Sequence, residues 1–150
     1  PYWNPSLRSC IFGLTLYHKV AHLFRAFLEG VAYAVRDSIE AAREAGIPLR
    51  RAILVDGGAK SPLWRQIIAD VTGIEFNYIS GVPGAPLGDA LLAGVGTGDL
   101  KYEDIFRWIK TPQTVKPILE NVKIYNRYYK LYRKIRENLM ECYDLASELS

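Results

Sequence analysis

The sequence is poor in the residues from which metal sites and disulfide frameworks are built: its 150 positions hold two cysteines and two histidines. Cys10 and Cys142 lie far apart and form no CxxC pair, which excludes a disulfide scaffold and a cysteine-based zinc site and fits a reducing cytoplasm. His18 and His22 stand one helical turn apart, but HKVAH lacks the glutamate of a zincin motif and no third ligand accompanies it. They read as surface or capping residues, and no metal ligand is assigned. An excess of one charge is also missing: 19 Lys and Arg against 16 Asp and Glu leave a net +3, too little to imply a nucleic-acid or membrane partner. No apolar run approaches the roughly 20 residues of a membrane-spanning helix, and the Pro- and Trp-containing start is unlike a signal peptide. No nucleophile–base pair or carboxylate dyad is visible, so no catalytic residue is assigned within this chain. Finally, the chain opens Pro1-Tyr2-Trp3-Asn4-Pro5 without an initiator methionine, which leads to the expectation that it is a piece of a longer protein.

What is present is the composition of one globular domain, 49% hydrophobic and 23% charged, alternating helical and strand-like patterns. After an extended Pro/Asn/Ser-rich arm over residues 1–8, residues 10–16 (CIFGLTL) form a short strand-like run. Over residues 18–45 the apolar positions Val20, Leu23, Phe24, Phe27, Leu28, Val31, Val35 and Ile39 recur every three or four residues, one face of a long helix that Gly46 and Pro48 terminate. Arg25 and Glu29 are spaced as an ion pair on it. Residues 51–56 (RAILVD) read as a central strand, residues 61–73 as a helix, residues 75–79 (EFNYI) as a second strand and residues 87–95 as a helix rich in small residues. Gly94-Val95-Gly96-Thr97-Gly98 follows a helix rather than a strand, so it reads as a helix cap and not a dinucleotide fingerprint. A short helix is expected over 102–108. A long C-terminal helix spans 118–149, with Tyr125, Tyr128, Leu131, Tyr132, Ile135, Leu139 and Cys142 on one stripe. Basic residues between Lys123 and Arg136 interleave with those tyrosines, but they fall on the solvated side, which argues against a nucleic-acid surface.

The corner Asp56-Gly57-Gly58-Ala59-Lys60-Ser61-Pro62-Leu63 has a chemical logic. Two residues without Cβ let backbone approach a ligand, Lys60 adds charge, and Ser61 and Pro62 open a helix whose first N–H groups face an anion. A plain tight turn from strand to helix uses the same residues. It is not a Walker A loop, because Ala59 precedes Lys60 and the glycine spacing is wrong.

Four ordered segments resemble the FGGY family of sugar kinases, and within it the xylulokinases most. They are Pro1-Tyr2-Trp3 with Gly13-Leu14, the Arg25-to-Tyr33 helix (RAFLEGVAY), the adenosine motif from Gly57 to Asp70, and the hinge segment from Gly84 to Gly94. Asp56 departs from the third glycine many xylulokinases carry, which touches the choice of sugar more than of family. The resemblance implies an α/β, actin-like (ribonuclease-H-like) fold, with residues 1–150 as part of the C-terminal, nucleotide-binding domain of a two-domain sugar kinase, truncated on its N-terminal side. It further implies ATP/ADP and Mg²⁺ in the full-length enzyme, phosphorylation of a pentulose, most of all D-xylulose to D-xylulose 5-phosphate, and a cytoplasmic location. Gly57, Gly58, Ala59, Lys60, Ser61, Pro62 and Leu63 would hold nucleotide, and Gly88 and Ala90 would serve the interdomain hinge. The catalytic aspartate and most sugar contacts would lie in the N-terminal domain, leaving this chain inactive alone and with an apolar face open to self-association. A non-catalytic interaction or assembly module of the same fold is the alternative.

Overall fold

The structure is a computed structural model and describes residues 4–49, 51–55, 57, 60–79, 84–108 and 112–149. Its first helix, α1 (Val20–Glu44), ends where Gly46 takes a left-handed conformation at φ 75°, the geometry that makes glycine a helix stop. The edge strand β1 (Ile53–Leu54) follows. The chain then enters α2 (Pro62–Thr72), where the Ser61 side chain accepts the Trp64 backbone N–H and Gly73 closes the helix at φ 67°. β2 (Phe76–Tyr78), α3 (Gly84–Thr97), a 3₁₀ turn (Tyr102–Asp104) running into α4 (Ile105–Trp108), β3 (Gln113–Val115) and α5 (Leu119–Glu148) complete the order.

The sheet runs β1-β2-β3. β1 and β2 are parallel, with Ile53 opposite Asn77 and Leu54 opposite Tyr78, so α2 is the crossover helix of a β–α–β unit. β3 returns antiparallel, with Phe76 opposite Val115. Helices cover one face: α1 and α5 both pack on α2. The core pools Ala32 and Tyr33 from α1, Ile67, Ile68, Ala69 and Val71 from α2, Phe76 from β2, and Tyr125 and Tyr129 from α5.

Four expectations change. Residues 10–16 form no strand and lie exposed. In this chain β1 lies at the sheet edge: among the described residues it borders β2 alone, and Ile53 and Val55 keep 45% and 55% of their surface exposed. The α5 stripe is also rotated, because Tyr129 is buried whereas Tyr128, Leu131 and Cys142 are exposed. On α1, likewise, Leu28, Val35 and Ile39 pack against the core, but Val20, Phe24, Phe27 and Val31 stay 81%, 62%, 54% and 49% exposed. The accessible surface of the chain is 10905 Å², against about 7,700 Å² for a compact monomer of this mass. Among the described residues, no helix is long and apolar enough to cross a membrane.

Candidate functional site

Parallel pairing of β1 and β2 brings their carboxyl ends to the same side of the sheet. From there the chain crosses into α2 after β1 and into α3 after β2. That is where open α/β sheets take ligands, because two connections diverge and helix N-termini converge. Gly57 is exposed, and a Cβ built on it would meet nothing within 4 Å. Lys60, Pro62 and Leu63 are exposed and Ser61 is half-buried at the helix cap. Gly58 and Ala59 lie outside the described residues.

The first turn of α2 is thus open where a ligand would approach, with no acidic side chain to repel an anion. Just inside it, Arg65 lies with its guanidinium carbon 3.9 Å from the centre of the Tyr78 ring. The Trp64 indole N–H is buried without a hydrogen-bond partner among the described residues. Below, α2 is fixed firmly. The Asp70 carboxylate, 2% exposed, accepts the Gln66 amide at 2.8 Å, the Ile118 backbone N–H at 2.7 Å and the Asn121 amide at 2.8 Å. One buried anion therefore joins α2 to the entry of α5. Sequence reasoning missed Arg65, Tyr78 and Asp70; the signal for Asp70 was a lone carboxylate inside the otherwise apolar IIADV.

Gly88 and Ala90 are exposed on α3, and a Cβ on Gly88 would meet nothing within 4 Å. The tight glycine is Gly94 instead: a Cβ there would come within 2.5 Å of Leu100 Cδ1, because the Leu100 N–H turns back to the Gly94 carbonyl. Helix α3 does end at Thr97, with Gly98 left-handed behind it.

A second polar constellation binds α1 to α5. Arg25 donates to Glu29 at 2.6 Å and to the Tyr125 hydroxyl at 2.7 Å, which itself donates to Glu29 at 2.8 Å. Farther along, Tyr129 and Arg136 both donate to the buried Asp37. Burial, which disfavours the phenolate, raises the ionisation of Tyr33 and Tyr129 well above the ordinary phenol range; Glu29 adds repulsion at Tyr33, and the Asp37 hydrogen bond adds to it at Tyr129. Tyr125 moves the same way, through burial, against a partial offset from Arg25. For Arg25, burial lowers the value, but its hydrogen bonds to Tyr125 and Glu29 outweigh that and raise it. The ion pair read from the sequence is real, then, and its third member is a tyrosine 100 residues away.

His18 and His22 serve as local caps: His22 Nδ1 accepts the Lys19 backbone N–H at 3.0 Å, and His18 Nδ1 meets Thr15. Among the described residues, no three His, Cys, Asp or Glu side chains gather to hold a metal. A cleft of about 500 Å³ opens between the N-terminal arm, α1 and α5, lined by Phe12, Tyr33, Tyr128, Tyr132 and Leu139. It lies apart from the α2 corner, and its acidic residue, Glu29, is already engaged by Arg25 and Tyr125.

Comparison with known proteins gives a consistent picture. The family model for the C-terminal domain of the FGGY family of carbohydrate kinases matches residues 1–97. Xylulose kinase of Staphylococcus epidermidis is 31% identical over 137 residues, 90% of this chain and 28% of that protein. Glycerol kinase of Alkaliphilus metalliredigens is 39% identical over 127 residues, 82% of this chain and 25% of that protein. The crystal structure of xylulose kinase from Rhodospirillum rubrum superposes with a TM-score of 0.73 at 30% identity, over 88% of this chain and 27% of that one. The chain thus spans less than a third of the length of these relatives.

Proposed function

The chain belongs to the FGGY family of carbohydrate kinases, within its C-terminal domain, and from that premise we propose that it is the nucleotide-binding portion of an ATP-dependent, cytoplasmic sugar kinase that converts D-xylulose to D-xylulose 5-phosphate. The observation that carries the reading is the open, Ser61-capped start of α2 beside Gly57, at the carboxyl ends of two parallel strands. Gly57 and Gly58 admit the ribose and phosphates close to the backbone, Lys60 contributes charge, and the first N–H groups of α2 face the anion. Ala59, Ser61, Pro62 and Leu63 wall the adenine. When bound, ATP supplies the phosphoryl group that a sugar hydroxyl takes up. The residues of this chain position it. Proton removal from that hydroxyl, and most contacts to the pentulose, belong to the N-terminal domain of the whole kinase, and the isolated chain is inactive. In the whole kinase Mg²⁺ would neutralise the phosphates.

The other domain, and the remainder of this one, have a surface to meet. Val20, Phe24, Phe27 and Val31 on α1, and the edge of β1, are apolar and uncovered, and apolar area of that extent on a soluble protein marks an interface. Gly88 and Ala90, open on α3, serve the hinge between domains, where closure excludes water.

The test is an ADP titration of the chain followed by backbone amide NMR. Saturating shifts that cluster at Gly57, Lys60, Ser61, Leu63 and their neighbours are expected, with no turnover of D-xylulose and ATP. Shifts scattered elsewhere, or none, would overturn the assignment of this corner to nucleotide.

A further inference from the structure

β1 leads into α2 and β2 into α3, and the start of α2 is only as well placed as the ties that hold it to the sheet. The deep half of α2 is held by Ile67, Ile68, Ala69 and Val71, all nearly or fully buried, and by the three hydrogen bonds to Asp70. Its first turn is different, because Pro62 and Leu63 are exposed there. Tyr78 is the last residue of β2 and is paired with Leu54 at the end of β1. Arg65 crosses from the first turn of α2 and lies on the Tyr78 ring, 3.9 Å from its centre.

We infer that the Arg65–Tyr78 stack is a positioning pair for nucleotide: it fixes the first turn of α2 against the end of β2 and thereby sets where the start of that helix meets the nucleotide. The inference rests on the nucleotide reading above and adds to it two residues that lie outside the glycine-rich turn. The chemistry suits the task. A guanidinium on an aromatic face is held by ring electrostatics and by flat contact together, which fixes its plane as well as its distance. Both residues are half-buried, so solvent screens the attraction less than on an open surface. A side chain in the first helical turn also leans toward the helix N-terminus, so rigidity given to Arg65 is given to the turn at Ser61.

The experiment is a double-mutant cycle on ADP affinity, read from amide shifts of Gly57, Lys60 and Ser61. It uses Arg65→Met, Tyr78→Leu and the double variant, each with a urea unfolding curve, and Tyr78→Phe as the variant that keeps the ring. Arg65→Met retains the apolar stem, and the cycle removes whatever else either side chain contributes. Tyr78→Leu and Arg65→Met are each expected to weaken ADP about fivefold, in line with the loss of one half-buried stack. The double variant is expected to be no weaker than either single one, and Tyr78→Phe to bind like the unaltered chain. A purely structural pair would show its coupling in the unfolding curves and none in the affinities, which would overturn the inference. So would affinities for Tyr78→Leu and Arg65→Met within about 1.5-fold of the unaltered chain, far short of the loss expected for the stack. If the unaltered chain itself shows no ADP-dependent shift, the nucleotide reading fails, and this inference fails with it.

Discussion

Asp70 sits where two helices need a common anchor. It lies in the last turn of α2, buried, and takes donors from its own helix, from the backbone N–H at Ile118 and from Asn121. A carboxylate so placed is stable because three donors replace the water it lost. Removing it strands them. Asp70→Ala is therefore expected to destabilise the chain by about 3 kcal/mol, and Asp70→Asn by about half of that, because the amide oxygen still accepts while its NH₂ opposes a donor. Urea unfolding followed by circular dichroism measures both; equal stability of the alanine variant would show that the three donors find water instead.

At the scale of elements, α1 and α5 are joined by tyrosines. Tyr33 stacks on Tyr132 at 5.1 Å and on Tyr129 at 6.1 Å, while Tyr125 and Tyr129 hold Glu29 and Asp37. Tyr33, Tyr125 and Tyr129 ionise less readily here than in water, mainly through burial. Unfolded tyrosines ionise near pH 10, so in the alkaline range the unfolded chain sheds protons that the folded chain retains. The stabilisation from the seam is whole below that pH and is lost as pH rises through it toward the folded values. The urea midpoint is expected to fall between pH 9 and pH 11, with part of the tyrosinate absorbance at 295 nm appearing only as the chain unfolds. Smooth titration of every tyrosine near pH 10, with an unchanged midpoint, would contradict the burial of the seam.

The end of α1 and both limits of α2 were legible because punctuation marks them: Gly46 and Gly73 stop the two helices, and Ser61-Pro62 starts the second. The strands were less so. β3, with Gln113 and Thr114 exposed, has neither alternation nor an apolar run, and pairing with β2 alone makes it a strand. RAILVD reads as a central strand because its apolar residues record what covers them, and β1 has no such cover on its outer side. The CIFGLTL run misled for the same reason. At the candidate site spacing pointed to the turn residues, while a plain tight turn used the same ones; the Arg65–Tyr78 pair was not legible, since it joins α2 to β2 across 13 residues of chain.

For the molecule as a whole, the decisive quantity is surface. The chain exposes about 3,000 Å² more than a compact monomer of its mass would, an excess larger than one partner's share of most stable interfaces. Val20, Phe24, Phe27 and Val31 give the first half of α1 a share of it that is apolar. Alone in solution the chain is expected to self-associate with rising concentration in sedimentation velocity, and replacing Phe24 and Phe27 together by lysine should restore a monomer while shifting the unfolding midpoint little, because both rings already face water. A chain that stays monomeric at high concentration would mean that this face is covered by residues of the chain itself.

The route of the core through the chain also bears on its synthesis. Tyr33, Ile67 and Phe76 wait for Tyr125 and Tyr129, and Asp70 waits for Ile118 and Asn121, so α1 and α2 are sealed by α5, which is made after both. A growing polypeptide emerges from the ribosome with its first elements ahead of their partners. Here the apolar side of α2 stays open until α5 is out. Closure is then a late event, and a stalled or prematurely ended message yields a chain that chaperones and proteases meet with its core unsealed.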